Sequence, residues 1–227
     1  MNKQGGKKVS TGHASLTCLN LPPSIHYKLE NIYLTGVIPG PREPSLKQIN
    51  HYLKPLVNDF LMARNDGLYL SRTCGYPLGR RVRCAILILV CDLPASRKVG
   101  GSASYAMKKF SSLCKLEKKD IDNTDPSTWP RWTHEDYLTC TQKWLDAPSA
   151  KAREAIFTQF GICWSELLRL PYWDPMKMVV VDAMQNLLLG ILKHHFCVVL
   201  GIDLNDDHEQ DEKPMPALVS ESVMEKA

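Results

Sequence analysis

Two aspartates stand at the ends of apolar, β-branched runs. Asp92 closes Cys84-Ala-Ile-Leu-Ile-Leu-Val-Cys91, and Asp182 closes Met178-Val-Val-Val181. A run this apolar reads as a strand buried on both faces. The strand fixes the position of the carboxylate, and the strand end opens it to solvent. Two such carboxylates suit metal-dependent phosphoryl transfer. Hard cations such as Mg²⁺ take oxygen ligands on rigid supports, and a pair of them stabilises attacking and leaving oxygens. The same residues also read as helix N-caps, with Pro94 in the first turn after Asp92. The pattern leaves cap and catalyst both open.

A second group is basic. Lys108, Lys109, Lys115, Lys118 and Lys119 cluster in a segment poor in apolar residues. Such a cluster is either a solvated loop or a contact to DNA phosphates, which needs only charge and reach. Trp129 and Trp132 add aromatics that can stack on bases or pack the segment onto the core. Arg80, Arg81 and Arg83 precede the apolar run, and alternation sets Arg81 and Arg83 on one face. They line the strand entrance or pair with nearby carboxylates. His194 and His195 are adjacent, so on a helix they diverge by about 100° and do not share a metal easily. The eight cysteines include no CxxC pair, and their scatter suits buried thiols rather than a zinc cage.

These groups need elements to hold them. The 227 residues, 44% hydrophobic and 23% charged with a net charge of +4, can build a real core. Strands are expected over residues 14–21 and 31–38. Ser45 reads as an N-cap, followed by an amphipathic helix with apolar positions 46, 49, 53, 56, 57, 60 and 61 that ends near Asn65-Asp66-Gly67. A short strand at 68–71 and a Gly75/Pro77/Gly79 turn lead into the long apolar strand. Residues 96–133 read as a mobile or functional insertion. Thr133 caps a helix, Ser149 restarts one that runs to about Phe160, and Ser165 to Leu170 forms a short helix. Trp164, Tyr172 and Trp173 are expected to staple this helical region to the core. Residues 183–200 are apolar nearly all round and read as a buried helix. The acidic residues 203–227 read as disordered. No signal peptide is visible and no apolar stretch reaches membrane length. An intracellular protein without a membrane span is expected, nuclear if it functions.

Five segments in order carry a resemblance: Asn31-Ile-Tyr-Leu-Thr-Gly-Val-Ile-Pro-Gly-Pro-Arg-Glu-Pro44, Leu53-Lys-Pro-Leu-Val57, Cys91-Asp-Leu-Pro-Ala95, Trp164-Ser-Glu-Leu-Leu-Arg-Leu-Pro-Tyr-Trp-Asp-Pro175 and Val181-Asp-Ala-Met-Gln-Asn-Leu-Leu-Leu-Gly190. Together they resemble the transposases of CACTA-type (En/Spm-like) DNA elements, over roughly residues 1–202. The resemblance implies an α/β fold: a partial RNase H-like (DDE transposase) sheet with a helical insertion. It divides into core strands and first helix at 1–95, insertion at 96–175, returning strand and buried helix at 176–202, and tail at 203–227. It implies acidic residues that bind Mg²⁺ to cut and join DNA at transposon ends. Asp92 matches the second of them, and Asp182 matches the start of an Asp-x-x-His motif whose histidine is here Gln185.

The family's first acidic residue falls upstream of Met1 and its last beyond Leu200, where Asp206, Asp207, Glu209, Asp211 and Glu212 are the carboxylates on offer. The family's cysteine pair leaves only Cys114, with Ser111 as the partner position, so no zinc cage is expected. Gln185 hydrogen-bonds but does not titrate near neutral pH as histidine does. The expectation is a truncated, degenerate transposase copy, catalytically incompetent alone. It would bind DNA, associate with itself or bind an intact transposase. Its exposed strand edges would favour self-association. The alternative is a non-catalytic DNA-binding or protein-interaction module derived from a transposon.

Overall fold

The computed structural model describes residues 11–202. The chain divides after Asp182 into two units. The first is a mixed α/β body with three two-stranded sheets. Strands β1 (Gly12–Thr17) and β2 (Ile32–Ile38) pair antiparallel, with a register shift between Ala14 and Ser15. After helix α1 (Ile49–Asn65), strands β3 (Leu68–Leu70) and β4 (Arg80–Val82) form an antiparallel hairpin. Strand β5 (Leu89–Cys91) pairs in parallel with β6 (Val179–Val181). Between these two lie α2 (Leu93–Gly100), α3 (His134–Asp146), α4 (Ala150–Phe160) and α5 (Pro175–Met178).

The start signals on α3 and α4 act as the sequence indicates. Thr133 and Asp136 form a reciprocal capping box on α3, and Ser149 accepts the Ala152 N–H on α4. At α1, Ser45 and Gln48 exchange hydrogen bonds of 2.9 and 3.3 Å one turn ahead of Ile49. The expected N-cap thus sits on a preceding turn rather than on the helix itself.

The core forms where α1 meets the segment 164–173. Ile49, Leu53 and Val57 of α1 pack with Val99, Leu167, Leu170 and Trp173. The spacing of Leu53 and Val57 gives one helix face. Asn50 ties the same surfaces with polar bonds. It donates to the Trp164 carbonyl at 3.1 Å and accepts the Glu166 N–H at 2.8 Å. The Tyr172 hydroxyl accepts the Ile86 N–H at 3.0 Å. Trp173 and Tyr172 staple the segment to the core as expected, whereas the Trp164 indole lies outside that cluster and donates to Glu166 at 3.4 Å. A second cluster joins Trp132, Tyr137, Cys140 and Ile162, and the Tyr137 hydroxyl donates to the Gly100 carbonyl.

Three expectations are corrected. The long buried strand through residues 80–91 is broken into β4 and β5. Between them the Cys84 N–H goes to the Ala63 carbonyl at 3.4 Å and the Ile86 N–H to Tyr172, so no strand ladder claims them. Leu87, Ile88 and Val90 are about half exposed, at 53%, 49% and 60%. Hydrophobicity promised burial on both faces, yet a two-stranded sheet covers less. Second, residues 96–133, read as a mobile or functional insertion, are not a mobile loop: they begin within α2 and pack beyond it. Ala103, Cys114, Leu116 and Trp132 are buried among them, and the Lys115 N–H bonds the Pro130 carbonyl at 2.7 Å. Third, the second unit's helical residues, Met184–Leu192 and His195–Val199, carry π-type turns and expose Leu187, Leu188, Leu189 and Ile191. An all-round apolar pattern encodes affinity for apolar surface without specifying which surface supplies it. The expected disordered tail and its carboxylates Asp206, Asp207, Glu209, Asp211 and Glu212 lie outside the described residues.

Candidate functional site

The β5–β6 pair brings the two aspartate positions side by side. Leu89, Val90 and Cys91 stand in register with Val179, Val180 and Val181. The Asp182 N–H continues the ladder, donating to the Cys91 carbonyl at 2.9 Å. Asp92 and Asp182 are therefore equivalent next residues at the carboxyl ends of neighbouring parallel strands, which run about 4.8 Å apart. The carboxyl ends of parallel strands are where open α/β sheets place ligands. Helix α2 starts there and packs against both strands.

Asp92 is also the N-cap of α2. Its Oδ1 accepts the Ala95 N–H at 2.7 Å, and Pro94 stands in the first turn. The side chain is exposed, so capping and a strand-end position coexist. Asp182 is half-buried. Gln185 lies in the second unit and is exposed. Replacing Asp92 by Ala is expected to cost about 1 kcal/mol of stability through the lost cap. Asp92→Asn keeps an acceptor and should cost only tenths of that. Thermal melts of the two variants separate this capping role from any effect on DNA.

Beneath the pair, burial pushes the Cys91 thiol up to about 11, with the Asp92 charge adding to the shift. Its ordinary value is 9.0, so it holds roughly a hundredfold less thiolate at a given pH. Burial pushes Cys163 up to about 12. Iodoacetamide at mildly alkaline pH should therefore label the exposed Cys74 well before Cys91 or Cys163, read by peptide mass spectrometry. Equal labelling of Cys91 and Cys74 would contradict the half-buried placement of Cys91 and its raised thiol. The unfolded thiol ionises first, so these groups' contribution to stability is full below pH 9 and drains as pH rises toward about 11 for Cys91 and about 12 for Cys163.

The lysine group lies elsewhere and is partly self-neutralised. Lys108, Lys109 and Lys119 gather on Glu117 at 3.2, 3.1 and 3.8 Å. Hydrogen bonds from Lys109 and Lys108 hold the Glu117 carboxyl below its ordinary range. Lys115 pairs with Asp136 at 2.5 Å and lies 5.0 Å over the Trp132 ring. Lys118 is exposed. Cys114 is buried, with its thiol 3.1 Å from the Ser111 hydroxyl.

Among the described residues, no group of three or more His, Cys, Asp or Glu is placed to hold a metal ion. A divalent cation such as Mg²⁺ takes about six oxygen ligands. Asp92 and Asp182 supply too few carboxylates for a two-metal centre within those residues.

Sequence reasoning passed over Arg64. It lines a cavity of about 450 Å³ with Asn65, Arg83, Cys84 and Ala85. No local signal marks Arg64, which lies on α1, but its cavity partner Arg83 belongs to residues 67–91, a stretch with four arginines and no acidic side chain.

The profile described as transposase family tnp2 matches residues 5–151. The chain belongs to this transposase family. The matched stretch contains Asp92 and the whole lysine group, whereas Asp182 and Gln185 lie outside it. Neither the curated proteins nor the solved structures gave a match. Among the described residues, no helix is long and apolar enough to cross a membrane.

Proposed function

We propose that this transposon-derived chain is a DNA-directed relative of the CACTA-type (En/Spm-like) transposases that does not cut DNA by itself. The observation that carries the reading is the in-register end of β5 and β6, which sets Asp92 beside Asp182. That arrangement agrees with an RNase H-like (DDE) ancestry, in which strand-end carboxylates hold Mg²⁺ for strand cleavage and transfer. Against activity stand the ligand count among the described residues and the Gln185 that replaces the motif histidine. A carboxamide accepts and donates hydrogen bonds, but it supplies neither a proton acceptor near pH 7 nor an anionic ligand. The remaining role is to occupy DNA, at transposon ends in the nucleus, alone or beside a second copy or an intact transposase. The lysine loop is a secondary contact at most in this reading: Lys118 is exposed, but Lys108 and Lys119 share Glu117.

The test is binding of the full chain to element-end duplex in Mg²⁺ over a salt series. The expected result is a retarded, intact duplex whose affinity falls steeply with salt. A chain that leaves the duplex free at low salt overturns the DNA-directed reading.

A further inference from the structure

We infer that the β3–β4 hairpin and the cavity at its base form a docking surface for the phosphate backbone of duplex DNA. This rests on the DNA-directed reading above and names the surface that carries it. Residues 67–91 hold Arg72, Arg80, Arg81 and Arg83 and no Lys, His, Asp or Glu. Their charge of +4 equals that of the whole 227-residue chain, so the remainder balances to zero. All four arginines are exposed, and among the described residues none is ion-paired to a carboxylate.

Packing positions these cations in place of acids. The Arg80 guanidinium lies 4.2 Å over the Tyr76 ring, and Arg64 lies 4.4 Å over Tyr172. Arg81 stands opposite Tyr69 in the hairpin and donates to the Asp66 carbonyl at 2.6 Å. Stacking and carbonyl bonds fix an arginine without spending its charge, so the cation stays available to an outside anion. At the hairpin base, Arg64 and Arg83 share the cavity of about 450 Å³. Two guanidiniums with Asn65 and no carboxylate form a lining that suits a phosphate. A two-stranded ribbon also fits the width of the DNA major groove. The lysine loop differs, since three of its ammonium groups converge on Glu117.

The experiment compares three full-length chains on a labelled duplex of random sequence across a KCl series: wild type, R72Q/R80Q/R83Q and K108Q/K118Q/K119Q. Arg81 is left in place because it holds the hairpin to Asp66. Each phosphate contact contributes about 0.9 to the slope of log affinity against log salt. The arginine variant is expected to lose roughly two to three units of slope, and the lysine variant less than one. R72K/R80K/R83K should recover most of the slope, and matching circular dichroism melts show that the fold survives. If wild type binds with a steep slope and the arginine variant matches it, the hairpin assignment is overturned while the DNA-directed reading stands. If wild type does not bind, the DNA-directed reading itself falls. Tighter binding to single strands, with Tyr69 and Tyr76 stacking on bases, would overturn the commitment to duplex.

Discussion

Trp173→Ala is expected to lower the unfolding free energy by about 3–5 kcal/mol. Trp173 is 2% exposed and sits where α1, α2 and the segment 164–173 meet, against Leu53, Val57, Val99, Leu167 and Leu170. The packed surroundings cannot close around an alanine, so the transfer loss and the residual cavity add. Natural domains hold only about 5–15 kcal/mol in total, and here the β-sheets are two-stranded and supply little independent stability. A loss of this size consumes much of the available margin. Urea titration followed by circular dichroism measures it. Leu78→Ala, at a residue 92% exposed, should stay within about 0.5 kcal/mol of wild type. Comparable losses in the two variants would show that Trp173 is not the junction of the core.

Gly101→Ala is expected to be nearly as damaging for a different reason. Gly101 ends α2 with φ at +78°, in the left-handed region. An added Cβ there would lie 2.5 Å from the Cys163 carbonyl oxygen, a backbone atom that cannot swing aside. The same residue accepts the Cys163 N–H at 2.8 Å, and the neighbouring Ala103 N–H reaches the Gly161 carbonyl at 2.8 Å. Relieving the clash therefore pulls apart the chain crossing that joins α2 to residues 161–163. The left-handed conformation alone costs about 1–3 kcal/mol for a residue with a side chain, and separation of the crossing adds to it. Gly75→Ala is the control, because nothing lies within 4 Å of its added Cβ. A Gly101→Ala chain as stable as Gly75→Ala would disprove the close approach.

The parts legible in the sequence are those set by local chemistry. Thr133 and Ser149 announce their helices because a hydroxyl one residue ahead of a helix satisfies an orphan N–H wherever the chain goes. The strand before Asp182 and the helix start after Asp92 were legible for the same reason. The break between β4 and β5 was not. It depends on Tyr172 and Ala63, which take the Ile86 and Cys84 N–H groups from distant positions in the chain. The adjacency of Asp92 and Asp182 was suggested by two similar strand ends, yet their register is a tertiary fact. Arg80, Arg81 and Arg83 were legible as a group at the strand entrance, but their support by a tyrosine ring and a backbone carbonyl rather than by carboxylates is a tertiary fact, foreshadowed only by the acid-free stretch between Asp66 and Asp92.

The central claim is that this chain occupies DNA without cutting it, although Asp92 and Asp182 share one strand-end position. The most direct measurement incubates wild-type chain and Asp92→Asn with supercoiled plasmid carrying the element ends, in Mg²⁺ and separately in Mn²⁺. Asp92→Asn keeps the helix cap while removing the anionic ligand. The account predicts retarded but fully supercoiled plasmid for both chains in both metals. Nicked or linear product that wild type forms and Asp92→Asn does not would contradict it.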